Sequence, residues 1–204
     1  MRVLTEDKIV LASHNTGKLR EISALVQPLG IELISVADLG LDEPLETENS
    51  FSGNARIKAH FAAQESGLPA FSDDSGIEID ALSGAPGVYT ADWAETPKGR
   101  DFMIAMTRAW HEIQEKGVEP PFTARFCCTL CIAWPDGHDE ICAGKVDGVL
   151  SWPPKGGLGF GYDPMFIPNG ETETFGEMDP AKKHQMSHRA DAFNKLLKGP
   201  LNRG

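Results

Sequence analysis

A chain of 204 residues with 41% hydrophobic residues and a formal net charge of −11 is long enough to bury a sizeable core. Its acidity argues against general nucleic-acid binding, which needs a basic surface, yet leaves room for a small anion held by a few local cations. No apolar run reaches the length of a bilayer span, and the first eight residues lack the apolar centre of a signal peptide, so a cytoplasmic protein with no membrane partner is expected.

Ile9-Val10-Leu11-Ala12-Ser13 reads as a buried strand. A helix follows from about Leu19 to Gln27, with Leu19, Ile22, Leu25 and Val26 at helical spacing. His14-Asn15-Thr16-Gly17-Lys18 joins the two. Backbone N–H groups at a helix start attract phosphate, and a lysine there adds a point charge. The junction is like a Walker A loop but has Ala12 in place of the first glycine and Leu19 in place of Ser or Thr, so it is not a P-loop. The same residues also read as a helix start capped by Asn15 or Thr16.

Residues 30–36 suit a second strand, and the acidic loop Asp42 to Asn49 comes next. Ser50 caps a helix that runs to about Ser66 and ends at Gly67, with Phe51, Ala55, Ala59 and Ala62 as its packing stripe and Lys58 on the face of Asn54. Ser72-Asp73-Asp74-Ser75-Gly76 then sets two carboxylates side by side at a strand end, before the alternating run Ile77 to Leu82. Such a pair repels itself unless a cation or a shared proton intervenes. It reads either as an Asx-type turn or, near phosphate-binding signals, as a magnesium site.

Gly84-Ala85-Pro86-Gly87 is a tight loop, residues 100–115 a packing helix, and residues 123–134 and 138–149 two strands joined at Pro135-Asp136-Gly137. Cys128 and Cys131 have metal-like spacing, but on a strand residues three apart point to opposite faces, so buried free thiols are expected. Residues 156–161 hold four glycines around Phe160, with Asp163 close behind. Phe160 suits stacking on a planar base, and Asp163 suits accepting a hydrogen bond, although the same residues also suit a core plug. The basic stretch Lys182 to Arg189 precedes a last helix from about Ala190 to Lys198, against the helix dipole, where an anion would be welcome.

Together, Lys18, Lys58, Lys183, His188 and Arg189 can offset triphosphate charge, and Glu46, Asp73 and Asp74 can hold a hard cation. These stretches resemble the inosine/xanthosine triphosphate pyrophosphatase family. The likeness is carried by residues 11–18, Ser50-Phe51-x-x-Asn54-Ala55-x-x-Lys58-Ala59, residues 72–76 and 84–87, Gly159-Phe160-Gly161-Tyr162-Asp163-Pro164 and Ser187-His188-Arg189, in the family's order.

The resemblance implies an α/β fold, with an elongated mixed β-sheet, surrounding helices and an active-site cleft between two lobes of one domain over residues 1–204. It implies Mg²⁺, a homodimer, and hydrolysis of ITP, dITP and XTP to the monophosphate and pyrophosphate, which keeps deaminated purines out of DNA and RNA. By the same resemblance, Ser13, His14, Asn15, Thr16, Gly17 and Lys18 cradle the phosphates, and Lys58 and Lys183 also face them. Glu46 and Asp74 serve the metal, Asp74 accepts the proton of the attacking water, Asp73 supports them, and Ser75 touches substrate. Phe160, Gly161, Tyr162, Asp163, His188 and Arg189 form the base and ribose site. Three positions depart from the family: Gly53 where Glu is usual, Glu48 where Gly is usual, and Asp92 where Arg is usual. Two other readings share these signals: a pyrophosphatase with a different base preference, and a nucleotide-binding module without catalysis.

Overall fold

The computed structural model describes residues 1–202. In chain order its elements are β1 (Lys8–Leu11), α1 (Thr16–Val26), β2 (Glu32–Ser35), α2 (Phe51–Ser66), β3 (Ala70–Ile79), a two-stranded ribbon of β4 (Glu95–Thr96) and β5 (Gly99–Arg100), α3 (Phe102–Glu115), β6 (Thr123–Ala133), β7 (Asp139–Leu150), β8 (Phe166–Pro168), α4 (Pro180–Met186) and α5 (His188–Leu197). The fold is mixed α/β, and six strands form one sheet in the order β2-β1-β3-β6-β7-β8. β1 pairs in parallel with β2 and β3, which suits its unbroken apolar run, and β7 pairs antiparallel with β8. Among the described residues no helix is long and apolar enough to cross a membrane.

The chain divides into two compact units. One comprises Met1–Asp74, Cys128–Gly144 and the chain from Arg189 on; the other comprises Ser75–Cys127 and Lys145–His188. The first unit has an apolar cluster on each side of its strands. Ile9, Leu11, Phe71, Cys128, Leu130 and Ile132 meet α1 and α5 through Ile22, Ala192, Phe193 and Leu196. Val10, Ala70, Cys131 and Ala133 meet Ala55, Ala59, Ala62 and Ala63 of α2, whose small side chains at helical spacing allow close approach. Cys128 and Cys131 thus lie on opposite faces of β6 and are free thiols, as their strand context predicts. Burial keeps the Cys131 thiol up at about 12, far from thiolate chemistry. The second unit packs α3 against the strands through Ala105, Met106, Ala109 and Ile113, together with Ile77, Ile79, Phe126, Phe166 and Phe175.

Candidate active site

β3 runs straight through Ser72-Asp73-Asp74-Ser75-Gly76, so the acidic pair lies inside a strand, neither at a strand end nor in an Asx-type turn. Strands disfavour aspartate, and burying an ionised one requires a partner. The alternation of β3 gives each carboxylate its own face and its own cations. Asp73 shares the face of Phe71, toward α1 and α5; Asp74 shares the face of Ser72, whose hydroxyl donates to the Ala55 carbonyl of α2 at 2.6 Å.

Asp73 is 1% exposed. Its Oδ1 lies 2.7 Å from Lys18 Nζ, its Oδ2 accepts from Arg189 Nε at 2.7 Å, and the Cys128 thiol donates to it at 3.1 Å. Burial pushes this carboxyl up, but Arg189 and Lys18 outweigh it and hold it well below the usual carboxylate range. Arg189 is buried as well, and its guanidinium also pairs with Glu21 of α1. Glu21 was not among the expected site residues. Its signal is an acid next to the buried Ile22 on an otherwise apolar helix face.

Asp74 is 5% exposed. Lys58 Nζ donates to its Oδ1 at 2.8 Å and to Glu46 Oε1 at 2.8 Å. The two acids therefore converge on one ammonium, no further apart than those two bonds laid end to end. Asp74 Oδ2 is buried with no hydrogen-bond partner among the described residues. Burial raises the Asp74 carboxyl; Lys58 and Lys18 lower it and Glu46 raises it, leaving it at about 6. Lys58 is pushed down by burial, but Asp74 and Glu46 more than reverse this.

The β1–α1 loop satisfies itself. Asn15 caps α1 by accepting from Gly17 N at 2.9 Å and Lys18 N at 3.1 Å, while Ser13 Oγ accepts from Asn15 N at 3.2 Å. The His14 N–H goes to Glu43 Oε1 at 3.0 Å, a carboxylate from the acidic loop. Thr16 is exposed at the helix start.

In the second unit, Asp163 Oδ2 accepts from Phe160 N at 2.7 Å and from Lys183 Nζ at 2.7 Å. The Lys183 ammonium sits 5.0 Å from the centre of the Phe160 ring and 5.6 Å from that of Phe175. Lys183 belongs to α4, a short helix capped by Asp179 that the basic stretch had hidden. Gly159 makes the Phe160–Asp163 turn possible: its φ is +75°, and a Cβ there would stand 2.1 Å from Asp163 Oδ2. Gly161 is also left-handed, at φ +69°. Tyr162 is buried in the core with its ring edge-on to Phe102. His188 stacks on Phe126 at 5.0 Å, and Ser75 is half-buried.

The expected residues thus fall into local groups: Lys18, Asp73 and Arg189; Glu46, Lys58 and Asp74; and Phe160, Asp163 and Lys183. Residues 9–199 match the Ham1 family model. The chain is 57% identical to a protein of Ruegeria pomeroyi named dITP/XTP pyrophosphatase, covering 97% of each chain. It is 52% identical to one of the same name from Brucella melitensis, covering 99% of this chain and 97% of that protein. This chain belongs to the Ham1 family. Among solved structures, a Ham1 protein of Coxiella burnetii superposes with a TM-score of 0.85 at 34% identity, covering 94% of this chain and 96% of that one. A nucleoside-triphosphatase / dITP/XTP pyrophosphatase of Mycobacterium abscessus gives 0.75 at 34% identity, covering 93% and 98%.

Positions 53 and 48, two of the three where the resemblance implies a departure, meet in space. A Cβ built on Gly53 would lie 2.5 Å from Glu48 Cβ and 2.6 Å from Glu48 Cγ. The stem of Glu48 fills the space that a side chain at position 53 would need. Gly53→Ala in a helix would ordinarily stabilise by about 1 kcal/mol. Here it is expected to give no gain alone and to recover that gain in the Glu48→Gly background. A double-mutant cycle read by urea unfolding checks this, with a coupling of at least about 0.5 kcal/mol expected. Asp92 opens the single turn Asp92–Ala94, and the neighbouring Trp93 carries the Arg108 guanidinium 3.8 Å over its ring.

Proposed function

We propose that this Ham1 protein hydrolyses the non-standard purine nucleotides ITP, dITP and XTP to the monophosphate and pyrophosphate, with water attacking and Asp74 accepting its proton. The observation that carries this reading is the buried, unpartnered Oδ2 of Asp74 beside Glu46, in a chain so close to proteins named dITP/XTP pyrophosphatase. A carboxylate oxygen kept dry without a donor is costly unless a ligand completes it.

The donor set fits Mg²⁺. Glu46 and Asp74 offer hard oxygen ligands, and no three His, Cys, Asp or Glu side chains converge among the described residues, so water and phosphate oxygens would fill the remaining positions. Bound there, Mg²⁺ would supply polarisation of the phosphorus centre and a more acidic water. Asp74, at about 6, is ionised at neutral pH and ready to take a proton. Lys18 and Lys58 balance the phosphate charge, and Ser13 to Gly17 orient the phosphates. Asp73 holds Lys18 in place.

By the resemblance, Phe160 stacks on the base, with Gly161, Tyr162, Asp163 and His188 completing the nucleoside site, Ser75 touching substrate and Lys183 facing the phosphates. Donors aimed at a 6-keto oxygen would be left unpaired by adenine's 6-amino group, which discriminates strongly against ATP. The resemblance further supports a cytoplasmic homodimer of one two-lobed domain.

The deciding experiment is a pyrophosphate-release assay with Mg²⁺ over ITP, dITP, XTP, GTP, ATP and dUTP. ITP, dITP and XTP are expected to lead in kcat/KM; equal rates with ATP or GTP would remove the substrate assignment. Phe160→Ala is expected to raise KM for ITP by roughly 5- to 100-fold, the range of a lost base–aromatic stack. An unchanged KM would make Phe160 a packing residue only.

A further inference from the structure

Lys58 occupies an unusual position for a phosphate-binding lysine. Its side chain is almost wholly buried, and its ammonium makes two contacts of 2.8 Å, one to Asp74 Oδ1 and one to Glu46 Oε1. Both are charge-assisted bonds of optimal length. An ammonium only donates, so Lys58 here serves the two carboxylates and not an anion from outside. In direct contact, one ammonium faces two carboxylates. Asp74 Oδ2, buried and without a partner among the described residues, marks where compensation is incomplete.

A divalent cation on the same two carboxylates balances both charges. It cannot share those oxygens with a fixed ammonium without strong like-charge repulsion. The Lys58 side chain has the freedom to move, because a lysine stem has four rotatable bonds. Its backbone stays fixed on α2, which is held by the Ser50 cap and by the Ser72 hydroxyl on Ala55.

We propose that Lys58 is the resident counter-ion of the Glu46–Asp74 pair and releases its ammonium to the substrate phosphates when a divalent cation takes those carboxylates. The proposal rests on the cation-binding role of Glu46 and Asp74 given above. Lys58 then has two successive partners: the acids in the resting protein and the phosphates in the loaded one. Cation and nucleotide reinforce each other, since the phosphates receive the ammonium that the cation displaces, and each raises the affinity of the other by the same factor. The nucleotide-free protein holds the cation weakly because the ammonium at 2.8 Å from Asp74 Oδ1 and Glu46 Oε1 repels it until the two ion pairs open. Lys58 is thereby a positioning residue for the cation as well as a ligand for phosphate.

The test is Mn²⁺ binding to the nucleotide-free full chain, read from the electron paramagnetic resonance of free Mn²⁺. Wild type is compared with Lys58→Met, Asp74→Asn and the double variant. Lys58→Met is expected to bind Mn²⁺ at least tenfold more tightly than wild type, and the double variant to lose that gain. If Lys58→Met binds no more tightly while Asp74→Asn weakens wild-type binding, the cation site stands and the counter-ion role is overturned. If Asp74→Asn changes Mn²⁺ affinity in neither background, the cation site itself is wrong and the proposal falls with it. A second measurement needs no substitution. Acylation of wild-type lysines, read by mass spectrometry, is expected to modify Lys58 at least fivefold faster at saturating Mg²⁺. Lys8, exposed and paired with Glu32, serves as the unchanged internal control. Equal Lys58 labelling with and without Mg²⁺ would overturn the proposal even if Lys58→Met failed to fold.

Discussion

Asp74→Asn is expected to lower kcat for ITP hydrolysis by about 10²- to 10⁴-fold, the usual contribution of a positioned general base. KM measured at saturating Mg²⁺ should move far less, because asparagine keeps the shape of the side chain and, with the cation site filled, loses mainly a transition-state interaction. The surroundings of Asp74 favour a clean result. Its neighbour Lys58 keeps a second carboxylate, Glu46 at 2.8 Å, so the substitution leaves the ammonium paired. The Ser72 contact that fixes the even face of β3 against α2 is also untouched. Steady-state kinetics with a thermal melt of the variant separate lost chemistry from lost fold. Turnover like that of wild type would remove Asp74 from the mechanism.

Arg189→Met is expected to destabilise the fold by about 3–5 kcal/mol, since it takes from the buried Asp73 and Glu21 the guanidinium they share. For a chain of this length that corresponds to a melting temperature lower by roughly 6–20 °C. Arg189→Lys should fall between, because one ammonium cannot reproduce the fork that reaches two carboxylates. The acid limb of stability carries the same signature. The Asp73 carboxyl is held well below its ordinary value of about 3.9, so its contribution is present above that pH and is lost as pH falls through the depressed folded value. With Arg189 gone the depression shrinks, and acid unfolding should begin at a higher pH than in wild type. A loss below about 1 kcal/mol in chemical denaturation would mean that Asp73 is held well enough without Arg189, by Lys18 and the Cys128 thiol among others.

The local signals of the chain were the legible ones. Ser50 caps α2 and Gly67 ends it in the left-handed region, and both rest on chemistry within a few residues. The opposite-facing cysteines follow from strand alternation alone. The acidic pair was harder to read, because what makes a mid-strand Asp73 tolerable is a lysine 55 residues before it and an arginine 116 residues after it. No window of sequence contains both. Helix α4 was missed for a different reason: Asp179 and Pro180 spell a capped helix start, but the basic residues that follow drew the reading toward anion binding. Lys183 shows the same limit. The resemblance sets it facing the phosphates, but its distant partners in the free protein, Asp163 and the Phe160 ring, appear only in three dimensions.

The division of the chain also bears on how the protein is made. Four times the polypeptide leaves one unit for the other, so neither is a continuous stretch. A nascent chain that has emerged only as far as Asp74 already carries Asp73 and Glu21, but it lacks Arg189 and the α5 residues Ala192, Phe193 and Leu196 that complete the same core. The unit that begins synthesis is therefore the last to close. Its buried acids stay hydrated until Arg189 and α5 have left the ribosome, and a message truncated before residue 189 would yield a product that lacks their shared guanidinium.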